Sequence, residues 1–355
     1  MNFAQTSAML TKWKRTEELS FLNEVSAVAL QQSLRHLHVA FANFFGKRPS
    51  YPRFKSRRRS RASPKYTKAG FSWRDGELTL AKMDRPLAIR WSRPLPEGSA
   101  PETVTVSRDQ AGRWFISLVV ETSTPPHPVI HAAVGVDVGL SSLVTMSTGE
   151  KVSNPLHEVR ERSKLTRAQR RLAKKTKGSA NRDKARREVA RIHARIADRR
   201  RDFLHKLSTR LVRENQTIVI EDLNVSGMLR NGKLARAMSD AAWSDFRAFL
   251  EYKAQWYGRT VIAVDRWFPS SKICSACGQK AESMPLNVRD WRCDGCGAAH
   301  DRDVNAAKNV LAAGLAVAAC GGDVRPTRRQ PARRLPAKQE ARPVRVVASR
   351  LHARR

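Results

Sequence analysis

Four cysteines in two close pairs are the most distinctive feature of the sequence. Cys274 and Cys277 are separated by two residues, as are Cys293 and Cys296, and fifteen residues lie between the pairs. Thiolates at this spacing are typical of a tetrahedral structural zinc site. A glycine directly follows each pair and permits the tight turn that brings both sulfur atoms onto one ion. We therefore predict one structural Zn²⁺ held by these four residues, with no open position for catalysis.

Two carboxylates fall where buried strands are expected. Asp137 lies within VGVDVG and Glu221 ends TIVIE, and the branched apolar side chains of each segment take the opposite face. A carboxylate in a buried strand is costly unless a cation or a hydrogen-bond donor faces it. The glycines beside Asp137 leave room for a backbone or a phosphate. For each acid alone, a strand-end carboxylate that caps the following turn is an equally good interpretation.

The third acid is either Asp301 or Asp303, which follow the cysteines in the segment HDRDVNAAKNV. Counted from Asp303, the positions on the same helical face are all apolar, whereas those counted from Asp301 include Asn305, Lys308 and Asn309, a row that we expect to face solvent. We therefore predict that Asp303 projects toward the sheet and that Asp301 is a cap or local hydrogen-bond partner. The apolar positions are Ala306, Ala307, Val310, Leu311, Gly314 and Leu315.

Asp137, Glu221 and Asp303 together have the composition of a two-metal phosphoryl-transfer site. Carboxylates of this kind hold two Mg²⁺ ions about 4 Å apart, of which one activates water and the other stabilises the leaving oxygen. We therefore predict that these three residues are catalytic and bind two Mg²⁺ ions.

The elements that must position these residues follow from hydrophobic periodicity. Residues 18–45 have the period of an amphipathic helix, and 71–122 contain short alternating segments typical of a small antiparallel barrel or sandwich. Residues 160–213 predict very basic helices that break at KKTKGSANR. Strands are expected at AVGVDV, TIVIEDL and TVIAVD, and a last helix at 303–318. The fold class is therefore α/β with a separate β-rich region before it.

The charge of the chain points to a polyanionic partner. Lys and Arg number 67 against 32 Asp and Glu, a formal net charge of +35. This excess favours nucleic acid over membrane. The segment YPRFKSRRRSR interleaves aromatic and basic side chains, as an RNA contact would, although an ordinary solvated loop is the alternative. We predict nucleic-acid contacts at Arg53, Lys55, Arg57, Arg58, Arg59, Arg170, Arg171, Lys174 and Lys175.

No segment approaches 18 consecutive apolar residues, and the first residues lack the apolar run of a signal peptide. We therefore expect a cytoplasmic protein that associates with the nucleoid when bound to DNA, with neither a membrane partner nor a small-molecule substrate. The basic, proline-containing residues 321–355 predict a disordered tail.

Several segments together resemble the OrfB/TnpB proteins of insertion-sequence transposons, compact relatives of the type V CRISPR effectors. They include GVDVGLSSLV, IVIEDLNVSGML, VDRWFPSSKICSACG and CDGCGAAHDRDVNAAKNVL, and the resemblance covers most of the chain. It implies a prokaryotic protein that binds a guide RNA made from the transposon end and cleaves double-stranded DNA beside a short transposon-adjacent motif. The catalytic trio of the family corresponds to Asp137, Glu221 and Asp303.

The resemblance also implies a RuvC-like nuclease domain with an RNase H fold, interrupted by a four-cysteine zinc ribbon, and an N-terminal helical segment with a small wedge β-barrel. Residues 1–48 would be the helical recognition segment and 49–130 the wedge barrel. The nuclease domain would occupy 131–272, with basic helices at 160–213, and resume at 301–320 after the ribbon at 273–300. The tail would occupy 321–355.

Members of the family usually carry a strand and helices ahead of a segment like NFAQTSAMLTKWKR, which here directly follows Met1. We therefore expect a shortened amino terminus, with consequences for barrel closure and guide-RNA binding and none for the nuclease residues.

Two other functions compete with that of an RNA-guided endonuclease. A guide-dependent DNA-binding regulator or inactive remnant would be favoured by loss of one of the three acids, and all three are present. A transposase that joins DNA strands by itself would use similar acid chemistry or a tyrosine nucleophile. None of the four tyrosines lies in a His-hydrophobic-His setting, so the tyrosine form of that activity is not expected.

Overall fold

The computed structural model describes residues 2–46, 51–53, 62–92, 94–123, 125–285 and 287–319, and the backbone of 344–351. The chain forms two compact units. The first comprises Met1–Ser123, Arg186–Arg191 and Pro336–Arg355, and the second comprises Thr124–Ala185 and Ile192–Leu335. Among the described residues, no helix combines the length and the apolarity that a membrane span requires.

The first unit begins with two helices, α1 (Phe3–Trp13) and α2 (Ala27–Phe45). The side chain of Asn2 caps α1 by accepting the backbone N–H of Gln5. Between the helices lies a 3₁₀ turn at Glu17–Asn23. The helix predicted over 18–45 therefore begins at Ala27, because the extended backbone of Ser26, with ψ 126°, interrupts it.

The described residues of the region predicted to be a wedge barrel form five strands: β1 (Lys65–Thr67), β2 (Phe71–Arg74), β3 (Glu77–Leu80), β4 (Pro101–Arg108) and β5 (Trp114–Val120). β1, β4 and β5 are neighbours in an antiparallel sheet, and β2 pairs with β3. The alternating apolar side chains of β3, β4 and β5 share one buried core. Closure of these strands into a barrel stays a prediction.

The second unit is built on a mixed sheet of β6 (Ala133–Val138), β7 (Ser142–Met146), β8 (Lys151–Ser153), β9 (Thr217–Glu221) and β10 (Thr260–Val264). The strand order is β10-β9-β6-β7-β8. The first three strands along the chain pair antiparallel, whereas β9 and β10 run parallel to β6. β6 is therefore the central strand and meets both arrangements.

Helices connect the strands of this sheet. Two basic helices, α3 (His157–Ala173) and α4 (Ala180–Glu214), lie between β8 and β9. Their separation confirms the predicted break, where Ser179 caps α4 by accepting the backbone N–H of Arg182. Between β9 and β10 lie α5 (Val225–Met228), α6 (Ala235–Ala241) and α7 (Trp243–Tyr257).

After β10 the chain forms the two cysteine turns, the hairpin β11 (Asp290–Arg292) and β12 (Ala299–Asp301), and then α8 (Arg302–Ala319). Different helices cover the two faces of the five-stranded sheet. Val134 and Ile218 face the core formed with α4 and α7, whereas Val219 and Ile262 pack with Val310 of α8 on the opposite face.

The last described strand is β13 (Val344–Leu351), which pairs antiparallel with β5. The prediction of disorder over 321–355 therefore does not hold for these eight residues. Their sequence VRVVASRL contains three valines, which favour strands, and pairing satisfies the backbone groups along the edge of β5.

Candidate functional site

Asp137 and Glu221 are neighbours at the carboxyl ends of two adjacent strands. Val136 of β6 pairs with Ile220 of β9 in the parallel ladder, so the next residue on each strand is one of the two acids. Because side chains alternate along a strand, both acids lie on the face opposite that valine and isoleucine. This is the face on which α8 packs.

α8 approaches this face closely because glycines lie at two contact points. A β-carbon on Gly135 of β6 would overlap the carbonyl oxygen of Ala307 and would lie 2.7 Å from the Cβ of Leu311. A β-carbon on Gly314 would overlap the side chain of Val219. The separation of helix and sheet therefore depends on the absence of side chains at these positions.

Asp303 lies in the first turn of α8. Its side chain is 18% exposed, and its charge is close enough to act on Asp137. The structure thus brings the three predicted acids together from two strands and one helix.

The electrostatics of this cluster favour a positively charged ligand. Burial raises the pKa of Asp137 well above its usual range, and the charges of Glu221 and Asp303 raise it further. Two nearby arginines, at positions 289 and 302, oppose these effects. Burial also raises the pKa of Glu221. A cation placed between these carboxylates would offset the cost of ionising Asp137 and Glu221.

The donor set fits Mg²⁺, because this ion binds oxygen ligands and takes one or two carboxylates together with substrate phosphates. A cationic side chain already lies beside one of the acids. Arg289 donates from Nη1 to Oδ1 of Asp303 at 3.1 Å and to its Oδ2 at 3.4 Å. No sequence pattern singles out Arg289, because its position depends on the hairpin, in which the backbone N–H of Arg302 donates to the carbonyl oxygen of Arg289 at 2.7 Å.

Asp301 has the supporting position that helical phase predicts. Its Oδ1 accepts the backbone N–H of Val304 at 2.9 Å and so caps α8, while its Oδ2 pairs with Nζ of Lys151 at 2.5 Å. Burial acts to raise the pKa of Asp301, but these two partners outweigh it and lower the pKa. Asp301 therefore stabilises the start of α8 in its charged form.

Asp301→Ala is expected to lower the free energy of unfolding by about 1 kcal/mol at pH 7, because it removes a helix cap and a partly exposed ion pair. Since the folded-state pKa lies below the unfolded value, the charged-state contribution is present above about pH 4 and is lost as the pH falls further. Urea unfolding of both proteins at pH 7 and pH 3.5 measures this difference. A gap that widens at the lower pH would contradict the assignment.

The expectation that Asn305 and Asn309 face solvent is wrong. Their exposed fractions are 1% and 6%. Asn305 donates to the carbonyl oxygen of Ile273 and accepts the backbone N–H of Ser275, while Asn309 donates to the carbonyl oxygens of Ser270 and Ile273. Helical phase describes the sheet side of α8 correctly, but the segment before the first cysteine pair covers a second side.

The four predicted zinc ligands come together in the second unit. Their sulfur atoms all lie within 4.8 Å of one another, with Cys274 and Cys296 3.7 Å apart and Cys277 and Cys293 3.6 Å apart. Tetrahedral Zn²⁺ with sulfur at about 2.3 Å requires sulfur–sulfur distances of about 3.8 Å. The residues therefore fit a structural zinc ion.

The turns around the cysteines have the conformation that the glycines were expected to permit. Gly278 and Gly297 have φ values of +80° and +70°. The backbone N–H of each donates to the carbonyl oxygen of the first cysteine of its pair at 2.8 Å. The ring of His300 lies against Trp291, and its Nε2 is 3.0 Å from Sγ of Cys274. A ring N–H at this atom would orient the thiolate.

Zinc analysis tests this centre. The purified protein is expected to contain one Zn²⁺ per chain, and Cys277→Ser should lose most of it and melt at a lower temperature, because zinc binding contributes to folding free energy. Cys320→Ser is the matched control, since Cys320 lies outside both pairs. Inductively coupled plasma mass spectrometry gives the metal content. Equal zinc content in Cys277→Ser and the wild type would contradict the four-cysteine site.

The predicted nucleic-acid contacts are distributed over both units. Arg53 is exposed in the first unit, and Lys55, Arg57, Arg58 and Arg59 lie outside the described residues. Arg170 and Arg171 at the end of α3, with Lys174 and Lys175 after it, are exposed in the second unit. Their roles stay predictions.

Family models and known proteins resemble this chain. The model OrfB_IS605, described as "Probable transposase", matches residues 116–232, and the model "Cas12f1-like, TNB domain" matches 243–310. A Streptomyces pristinaespiralis protein named "Putative RNA-guided DNA endonuclease" is 66% identical over 328 residues, which are 92% of this chain and 81% of the relative. An Escherichia coli K12 protein named "Putative RNA-guided DNA endonuclease InsQ" is 35% identical over 350 residues, covering 93% and 85%.

A solved structure titled "Cryo-EM structure of the Cas12f1-sgRNA-target DNA complex" covers 80% of this chain and 70% of its own, at 14% identity and a TM-score of 0.49. The two relatives named above match more than nine-tenths of this chain and more than four-fifths of their own length. The chain belongs to the OrfB/TnpB family, as its sequence segments predicted.

Proposed function

We propose that this protein is an RNA-guided DNA endonuclease that hydrolyses phosphodiester bonds with Mg²⁺. The observation that carries the proposal is the meeting of Asp137, Glu221 and Asp303 on one side of the central sheet. The names of the two relatives support the same activity. The mixed sheet with acids at the ends of β6 and β9 supports a RuvC-like, RNase H-type domain.

The three carboxylates hold the metal ions in this proposal. Two bound Mg²⁺ ions supply an activated water and stabilise the leaving oxygen of the cut strand. Asp137 is the central ligand, because it is buried and feels the charge of both other acids. Arg289 is more than half exposed beside Asp303, and its guanidinium neutralises charge that develops on the scissile phosphate.

The partners in this proposal are a guide RNA from the transposon end and double-stranded target DNA next to a short adjacent motif. Base pairing selects the sequence, and the protein binds backbones electrostatically. The formal charge of +35 and the exposed basic residues after α3 support this division of roles. The structural Zn²⁺ stabilises the ribbon, and the protein acts in the cytoplasm at the nucleoid.

The test uses protein purified with its co-purifying RNA. That RNA is sequenced, and a plasmid carrying the matching target beside a randomised motif is incubated with the complex and Mg²⁺. We expect the wild-type complex to linearise the plasmid when Mg²⁺ is present. The plasmid should stay intact in EDTA, and it should stay intact when Asp137→Ala replaces the wild type. Equal cutting by the wild type and the variant would exclude the catalytic assignment. Guide-dependent DNA binding without cutting would favour the regulator.

A further inference from the structure

We propose that Ser270 is a positioning residue for Glu221 and that the base of the zinc ribbon anchors it. The inference rests on the proposed function and extends it, since it makes the ribbon a structural part of the Mg²⁺ site. Three observations carry it: a contact from a buried hydroxyl to the carboxylate, the freedom that the Glu221 side chain would have without that contact, and a set of asparagine contacts that holds the segment.

The first observation is the contact itself. Oγ of Ser270 donates to Oε1 of Glu221 at 2.5 Å, and Ser270 is 6% exposed. A hydrogen bond from a neutral donor to an ionised acceptor is short and strong. A glutamate side chain has three rotatable bonds, so this single contact removes much of its freedom. The contact is made to Oε1, and in this proposal Oε2 is the oxygen that binds the metal ion.

The second observation is that the Glu221 side chain would otherwise be less constrained than the other two acids. Asp137 and Asp303 have short side chains on regular elements that pack against each other. Glu221 is one bond longer and ends its strand. Of the three acids, it therefore gains most from a hydrogen-bond partner that fixes its rotamer.

The third observation is the anchoring of Ser270. The side-chain amide of Asn309 donates to the carbonyl oxygen of Ser270 at 2.8 Å and to that of Ile273 at 2.6 Å. Asn305, one helical turn earlier on α8, donates to Ile273 at 2.7 Å and accepts from the backbone of Ser275 at 2.8 Å.

These contacts span the first zinc ligand. Cys274 lies between Ile273 and Ser275, the two residues that Asn305 holds. Hydrogen bonds therefore connect the first cysteine turn, through two buried asparagines of α8, to the backbone of Ser270, whose hydroxyl donates to Glu221. The same helix carries Asp303 at its start. α8 thus carries Asp303 and also holds Ser270, the hydrogen-bond partner of Glu221.

The test compares Ser270→Ala with two matched variants. Ser270→Thr keeps a hydroxyl at the same position, and Ser271→Ala removes a hydroxyl from the next residue of the same turn. Isothermal titration calorimetry with Mn²⁺ in the absence of DNA measures metal binding independently of cleavage. Plasmid cleavage by the RNA complex is measured over a series of Mg²⁺ concentrations. Zinc content and melting temperature report on the ribbon and the fold.

We expect Ser270→Ala to raise the Mn²⁺ dissociation constant about 10-fold or more. Its cleavage should recover in part at high Mg²⁺, with zinc content and melting temperature close to those of the wild type. Ser270→Thr should restore binding to within a few-fold, and Ser271→Ala should match the wild type. A general loss of stability would not produce recovery by added metal.

Wild-type Mn²⁺ affinity in Ser270→Ala would overturn the inference, as would equal losses in Ser270→Ala and Ser271→Ala. In either case cleavage by the wild type would leave the proposed function intact. The variants could instead show the predicted differences in Mn²⁺ affinity while the wild type cuts no DNA under any condition. That result would support the positioning role of Ser270 and contradict the proposed endonuclease activity. A wild type that neither binds Mn²⁺ nor cuts DNA would contradict both.

Discussion

Asp137→Asn is expected to lower the rate of DNA cleavage by about 10³-fold or more while leaving the fold intact. The substitution keeps the shape of the side chain and removes the central negative charge of the metal site. Loss of one preorganised electrostatic contact costs catalysis about 10²–10³-fold, and a metal ligand contributes more because the ions supply both halves of the reaction.

In the absence of divalent metal ions, the same substitution is expected to stabilise the fold, although it lowers the rate of cleavage. Burial and two neighbouring acids raise the pKa of Asp137 in the folded state. The folded state therefore favours the neutral form, and the ionised carboxylate destabilises it increasingly as the pH rises above the unfolded-state value of about 3.9. Asparagine stays neutral at every pH, so the variant should melt at or above the wild-type temperature.

Melting curves in EDTA at pH 5 and pH 8 measure this effect, and the advantage of the variant should be larger at pH 8. Addition of Mg²⁺ should raise the melting temperature of the wild type more than that of the variant, because only the wild type has the full ligand set. A variant that melts far below the wild type in EDTA would show that Asp137 has a structural role instead.

Gly135→Ala is expected to reduce cleavage about 10²-fold and to lower the free energy of unfolding by about 1–3 kcal/mol. The new methyl group overlaps the carbonyl oxygen of Ala307, which is backbone in the middle of α8 and cannot rotate away. The helix must shift from the sheet, and overpacking of this kind costs about that amount. Displacement of a catalytic group by about 1 Å costs about 10²-fold in rate.

Gly232→Ala is the matched control, because a β-carbon there meets no atom within 4 Å and its backbone lies outside the left-handed region. Urea unfolding and initial cleavage rates of the two variants separate the effects. If Gly135→Ala cut at the wild-type rate, close packing of α8 would not determine the position of Asp303.

The parts of the site that follow short-range rules could be predicted from the sequence. The spacing of the cysteine pairs predicts the zinc site. The 3.6-residue period of a single helix predicts which side of α8 carries Asp303. Leu315 is an exception to the helical period, because it is 41% exposed although it lies at a position predicted to share the sheet-facing side of α8.

The parts that depend on two distant segments could not be predicted. Asn305 and Asn309 look solvent-facing because periodicity describes one helix alone, whereas the segment at 270–275 covers them. Ser270 lies in a turn with no period, and its contact with Glu221 joins positions 49 residues apart. Arg289 reaches Asp303 only because β11 and β12 fold back on each other.

The position of Asp303 on α8, the last helix among the described residues of the second unit, has a consequence for synthesis of the protein. Translation releases Asp137 first, Glu221 after more than eighty further residues, and Asp303 after about eighty more. A nascent chain that ends before α8 therefore carries two of the three carboxylates and lacks Asp303. Under the proposed function, a ribosome-bound fragment that ends before α8 cannot cut the chromosome from which its own message is transcribed.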